Sequence, residues 1–254
     1  MLLKNKVAIV HGAAGAVGSA VARAFARQGA KLFLAGRRGG PVEALAKEIV
    51  QTGGESEAQE VDAFDEEAVE QHAFGVARNA GTIDVVFNAV GFRAVQGIPL
   101  IDLKREDFVS PIEKWTTTQF LTARAAARHM VQKRSGVILT LSASPARLAI
   151  ASTGGFGVAC AAIEGLSRTL AAELSPQGVR VVCLRPHRIG DTLGSAADFP
   201  MNRDEFRSFI ESMTLLNRLP TLADVANTAV FLASDGAAAM SGTVANLTCG
   251  MSVD

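Results

Sequence analysis

The residues with the plainest chemical purpose lie near the N-terminus, in His11-Gly12-Ala13-Ala14-Gly15-Ala16-Val17-Gly18. Small residues at this density let a backbone turn tightly, approach a pyrophosphate closely and present helix N-terminal amides to it. Any tight strand-to-helix turn favours glycine, so the context decides. A β-branched run, Lys6–Val10, precedes the turn and a helical pattern follows it. Gly12, Gly15, Ala16, Val17 and Gly18 are therefore expected to cradle the phosphates of a dinucleotide. At the end of the next strand, where a carboxylate would hold the ribose 2′-hydroxyl of NAD(H), stand Gly36, Arg37 and Arg38. Guanidinium groups suit a 2′-phosphate through charge and bidentate geometry. The pair favours NADP(H) over NAD(H); the alternative is two exposed arginines that merely solvate a loop.

Such groups need a scaffold of strand, tight turn and helix, and the chain repeats that unit. Apolar residues at helical spacing over Ser19–Gln28 stop at Gly29, a glycine C-cap. Lys31–Ala35 reads as a strand, and Pro41 suits the first turn of the next helix. Further strands are expected at Ser56–Val61, Asp84–Asn88, Gly136–Leu141, Val179–Leu184 and Thr243–Leu247. Helical patterns separate them at Asp65–Asn79, Glu106–Lys133, Gly155–Leu174 and Leu222–Ser234. This alternation predicts an α/β chain: a three-layer Rossmann fold with a doubly wound parallel sheet of about seven strands. One domain over residues 1–254 is expected. Arg185–Asn202, rich in Gly, Asp, Ser and Pro, reads as an irregular substrate lid, within a lid segment near 185–216.

Composition excludes several classes. Hydrophobic residues make up 48% and charged residues 20%, which is globular and soluble rather than disordered. Lys plus Arg equals Asp plus Glu, 25 each, with no basic stripe, so neither nucleic acid nor an anionic membrane is an expected partner. No apolar run reaches the length of a membrane span. Met1-Leu-Leu-Lys-Asn-Lys leads straight into a strand without a secretory segment. Cys160, Cys183 and Cys249 form neither a disulfide framework nor a zinc spacing. A cytoplasmic location is expected. His11, His72 and His129 carry no spacing that suggests metal.

Over nearly its whole length the chain resembles the short-chain dehydrogenase/reductase family, in its branch of about 250 residues. The glycine turn is similar to that family's Thr-Gly-x-x-x-Gly-x-Gly, with His11 for Thr and Ala16 for the middle Gly. Val61-Asp62 matches the pair whose Asp contacts adenine. Asn88-Ala89-Val90-Gly91 resembles Asn-Asn-Ala-Gly, which borders the cofactor and supports the central sheet. Ala161-Ala162-Ile163-Glu164-Gly165-Leu166, Ala171-Ala172-Glu173-Leu174 and Val179-Arg180-Val181 follow the family's helix-to-strand pattern. Pro186-His187-Arg188-Ile189 stands where Pro-Gly-x-Val meets the nicotinamide, with Thr192 as the threonine that follows. Thr248-Cys249 replaces a usual Asp-Gly. The resemblance implies cofactor contacts from Asp62, Asn88, Ala89, Gly91, Pro186, Ile189 and Thr192.

It also implies hydride transfer assisted by a Tyr acid, a Lys that lowers its pKa, a Ser that aligns the carbonyl and an Asn that holds a relay water. Those four positions hold Phe156, Cys160, Ala143 and Trp115. No shift of register restores the pair, because the chain has no tyrosine and no lysine after Lys133. A positioned general acid contributes about 10²–10⁴-fold, and an oxyanion donor about 10²–10³-fold. The family's usual route is therefore badly impaired. Ser142, Ser144 and His187 are the candidate substitutes: two hydroxyls beside the expected nicotinamide and an imidazole at the mouth of the site. The plainer readings are hydroxyls satisfied by backbone and a surface histidine. Cys160 reads as a small core residue or a thiol in place of the ammonium. Arg93, Arg147, Arg185 and Arg188 either bind an anionic substrate or are solvated.

Three readings remain open. The first is an NADP(H)-dependent oxidoreductase with a rewired site acting slowly on a small molecule, a carbonyl or activated alkene. The second is a non-catalytic nucleotide-binding pseudoenzyme or partner subunit. The third is a non-redox lyase or isomerase. Glu106–Lys133 and Gly155–Leu174 resemble the helices through which the family pairs, so a homotetramer or homodimer is expected.

Overall fold

The computed structural model describes residues 1–193 and 202–253. Seven strands, β1 (Val7–His11), β2 (Lys31–Gly36), β3 (Glu55–Glu60), β4 (Val85–Asn88), β5 (Gly136–Leu141), β6 (Val179–Pro186) and β7 (Thr243–Leu247), form one sheet. Its order is β3-β2-β1-β4-β5-β6-β7, with every neighbouring pair parallel. Parallel neighbours require crossovers, supplied by α1 (Ala16–Arg27), α2 (Gly39–Gln51), α3 (Glu66–Ala80), α4 (Arg105–Met130), α5 (Gly155–Leu174) and α7 (Leu222–Ala233).

The central strands read as continuous apolar runs because both faces are covered, and alternate residues feed two cores. Ala8, Val10, Leu32, Leu34, Phe87 and Leu139 pack with Phe25 of α1, Leu45 of α2 and Val225 of α7. Val7, Ile9, Phe33, Val86 and Ile138 face the other way, onto Val69 of α3, Leu121 of α4 and Leu170 of α5. The edge strand β3 carries Glu55, Glu57 and Glu60, with Glu57 paired to Lys31 at 3.0 Å. Charged edges of this kind resist pairing with a further strand. Strand order reverses between β1 and β4, which opens a crevice at their carboxyl ends, the ligand position of open α/β sheets.

The expected boundaries shift by a few residues. His11 closes β1, in register with Ala35 and Asn88, instead of opening the turn. The expected lid segment carries regular structure on both sides of its irregular part. β6 continues through Pro186, a 3-10 turn spans Gly190–Thr192, and a helix, α6 (Arg203–Ser212), occupies part of the segment. Asn202 starts α6 with a reciprocal capping box to Glu205, satisfying amides that a helix end leaves open. Residues 194–201 of the expected lid lie outside the described residues.

Candidate functional site

The turn after β1 is built on backbone proximity. Gly12 has φ +70°, and a Cβ there would sit 2.7 Å from the carbonyl carbon of Ala89. A Cβ on Gly18 would lie 2.3 Å from the oxygen of Gly12. The turn therefore folds onto itself and onto the end of β4, leaving the start of α1 open. Gly15 is the N-cap and makes no side-chain capping hydrogen bond, so the first amides of α1, from Ala16, Val17 and Gly18, are available to an anion.

A cavity of about 180 Å³ opens above this turn. Gly12, Gly15, Arg37, Arg38, Asp62, Ala89 and Gly91, all expected cofactor contacts, line it. Gly36 also lines it, and a Cβ there would meet Val42 at 2.9 Å, so the floor is kept low beside the two arginines. Glu60 accepts from the Gly39 amide at 2.9 Å and holds the start of α2 next to them. Asp62 Oδ1 accepts from the Phe64 amide at 3.0 Å. Anion-binding amides, guanidinium groups and a cradle closed to side chains fit the phosphate and adenosine portions of a nicotinamide dinucleotide.

Asn88 plays its part from behind. It is buried, and its amide nitrogen donates to the Thr118 carbonyl and to Thr122 Oγ1, both at 2.9 Å. Its Oδ1 accepts from the Val90 amide at 2.8 Å. β4 is thereby tied to α4, and Ala89–Phe92 are held along the cavity wall. His11 lines the cavity floor and meets His72 of α3 edge to face at 5.6 Å. Burial and the neighbouring His72 push His11 down to about 3, and burial pushes His72 down to about 4. Both imidazoles are therefore neutral at pH 7. Pro186, Ile189 and Thr192 do not line this cavity; they lie where β6 leaves the sheet, with Thr192 Oγ1 donating to the Ile189 carbonyl at 3.0 Å.

Of the four positions at which the family resemblance expects catalytic groups, Trp115 and Phe156 come together as an apolar contact. Trp115 and Phe156 are in ring contact, centroids 4.9 Å apart, and Phe92 meets Trp115 at 6.3 Å. Trp115 Nε1 donates to the Val90 carbonyl at 3.1 Å, which satisfies the indole and fixes it against the cavity wall. Cys160 is buried, and burial raises its thiol to about 12, so it holds no thiolate at neutral pH.

The two serines part company. Ser142 Oγ donates to Glu164 Oε1 of α5 at 3.0 Å, and Glu164 pairs with Arg185, Nη1 to Oε2 3.3 Å. Arg185 is 2% exposed, which corrects the expectation of a solvated or substrate-facing arginine. Arg93 and Arg147 are exposed, and Arg188 stacks over Phe206 at 5.4 Å. Ser144 Oγ lies 2.7 Å from His187 Nδ1. His187 is 7% exposed, correcting the surface-histidine alternative, and its Nε2 has no hydrogen-bond partner among the described residues. Burial, then the neighbouring Arg188, lowers its pKa to about 4. Three contributors had no site role in the sequence reading: Phe92, Glu164 and the His72 partner of His11. Only Glu164 carried a signal, a carboxylate among the alanines of an apolar helix.

Comparison with known proteins gives the family and the fold. Residues 12–252 match the family model described as Enoyl-(Acyl carrier protein) reductase, a short-chain dehydrogenase/reductase model. Secoisolariciresinol dehydrogenase of Forsythia intermedia is 30% identical over 243 residues, 94% of this chain and 86% of that protein. D-threitol dehydrogenase of Mycolicibacterium smegmatis is 30% identical over 240 residues, 94% and 90% of the two chains. The crystal structure of gox2181 superposes with a TM-score of 0.88 over 98% of this chain and 96% of that one, at 23% identity, a likeness of fold. On the match across residues 12–252, the chain belongs to the short-chain dehydrogenase/reductase family, whose cofactor is a nicotinamide nucleotide.

Proposed function

We propose that this protein is an NADP(H)-dependent oxidoreductase with a rewired active site, acting on a small molecule. The observation that carries the reading is the cavity in which the open start of α1 and Arg37 and Arg38 converge. When bound, the nicotinamide supplies or accepts a hydride. The chain's own residues bind phosphates at Gly12–Gly18, hold the adenosine side at Asp62, and support the wall through Asn88. Pro186, Ile189 and Thr192 border the nicotinamide in this reading.

The Ser144–His187 contact takes the place of the missing acid. With Nδ1 protonated, His187 donates to Ser144 Oγ, and the serine hydroxyl is free to hydrogen-bond a substrate oxygen. The imidazole is neutral at pH 7, so the pair orients and polarises more than it protonates. Ser142 is held by Glu164 and plays a supporting part. Turnover is therefore slow, and the expected test is NADPH oxidation against a carbonyl and activated-alkene panel. Ser144→Ala and His187→Phe should each lower the rate at least tenfold while leaving NADPH affinity within about twofold. Wild-type rates in both variants would reject the pair's role.

A second reading, a non-catalytic nucleotide-binding protein, is favoured by the ring contact of Trp115 with Phe156, which narrows the catalytic end. Cofactor binding with no turnover across that panel would select it. Exposed Phe120 on α4 and Val158 on α5 support assembly as a homodimer or homotetramer, and three unpaired cysteines suit a reducing cytoplasm.

A further inference from the structure

The aromatic wall and the weak acid pair together select a substrate class, given the NADP(H) reading above on which this inference rests. Phe92 belongs to the cofactor cavity, Trp115 leans on Phe92, and Phe156 on Trp115. Half-buried rings therefore run from the cofactor cavity into the position of the family's acid. One contact is edge-to-face and the other tilted at 50°, so neither pair is stacked face to face, the arrangement a flat, electron-poor partner would supply. Hydrogen-bond donors are scarce along this wall: Trp115 Nε1 is spent on Val90, Ala143 offers a methyl group and Phe156 a ring.

That combination matters for what can be reduced. Hydride addition to a simple ketone makes an alkoxide, a strong base that needs a positioned acid within the same step. Hydride addition to a quinone makes a phenolate, whose conjugate acid has a pKa near about 10, as in tyrosine. A phenolate survives until water protonates it.

We propose that the substrates of this site are flat quinones, reduced by two electrons without a side-chain acid. The C–H bond of the reduced nicotinamide breaks and its hydride forms an O–H bond at one quinone oxygen. The ring aromatises, and the π pair of the other carbonyl becomes the phenolate lone pair of a hydroquinone monoanion. Ser144 hydrogen-bonds that oxygen, and water then delivers the proton that completes the hydroquinone. NADPH leaves as NADP⁺, so electrons and atoms balance.

Trp115 is the sole tryptophan, so it reports on its own surroundings. The experiment titrates 1,4-naphthoquinone into the nucleotide-free protein and follows tryptophan emission, corrected for absorbance. Free N-acetyltryptophanamide serves as the collisional control and 1-tetralone, a fused-ring ketone, as the comparator. Saturable quenching by the quinone is expected, and Phe156→Leu should weaken it about fivefold with NADPH affinity retained. In NADPH oxidation, corrected for the uncatalysed reaction, the quinone should turn over at least a hundredfold faster than 1-tetralone. Purely linear quenching, or equal rates for the two compounds, overturns the proposal. Saturable quenching in a protein that binds no NADPH overturns the reduction and, separately, the cofactor reading on which it rests.

Discussion

Glu164→Gln isolates the electrostatics of the buried network beneath the catalytic end. The side chains of Arg185 and Glu164 are 2% and 6% exposed, with Nη1 3.3 Å from Oε2 and 3.4 Å from Oε1. Gln keeps the volume and can still accept from Ser142, so what disappears is one buried carboxylate charge beside Arg185. Removing one partner of a buried ion pair is destabilising by about 3–5 kcal/mol. For a chain of this length each kcal/mol moves the midpoint by about 2–4 °C, so the thermal midpoint should fall by about 6–20 °C. The contrast is Arg207, paired with Glu211 at the shorter distance of 2.8 Å but with a side chain 50% exposed. Solvent screens that pair, and Arg207→Ala should leave the thermal midpoint close to that of the wild type. Differential scanning calorimetry of both variants measures the two. Should Glu164→Gln melt within about 2 °C of the wild type, or Arg207→Ala fall as far, burial would not be what gives this pair its weight.

Two further perturbations test other parts of the molecule. His11 and His72 titrate near pH 6.5 when unfolded but at about 3 and about 4 when folded. Between those values the unfolded chain binds more protons, so stability is full above about pH 6.5 and is lost as pH falls toward 4. From pH 7.5 to 5.5 these two and the equally depressed His187 together should remove about 4 kcal/mol, read from urea midpoints, and His72→Leu should remove about a third of that slope. A flat profile in the wild type would contradict the burial argument. Gly18→Ala places a methyl 2.3 Å from the Gly12 oxygen, so backbone must move, and NADPH affinity should drop at least tenfold in a calorimetric titration. Unchanged affinity would mean the turn does not hold phosphates.

What could be read in the sequence is what repeats locally. Strand-helix alternation and the glycine turn depend on neighbours a few residues apart, so the sheet and its crevice were legible from pattern alone. α6 was missed because Gly, Asp, Ser and Pro dominated the segment before it, although Asn202 and Glu205 stand at capping-box spacing. Ser142 and Ser144 look equivalent along the chain. Only the fold shows that one turns to Glu164 on α5 and the other to His187 beyond β6. The Glu164–Arg185 pair and the His11–His72 contact join residues far apart in sequence, and no local spacing encodes such meetings. Phe92 gains its meaning from Trp115, which reaches it from a different helix.

The central claim is that Arg37 and Arg38 beside the glycine turn make a working NADP(H) site. A fluorescence titration of NADPH and of NADH into the wild type and an Arg37→Ala variant tests it most directly. The account predicts NADPH binding on the order of micromolar, tighter than NADH, and a loss of about tenfold to a hundredfold for NADPH alone in the variant, as for a charge-assisted hydrogen bond. Equal affinity for the two nucleotides, unaffected by the substitution, would contradict the assignment of NADP(H), and no binding of either would contradict the redox account as a whole.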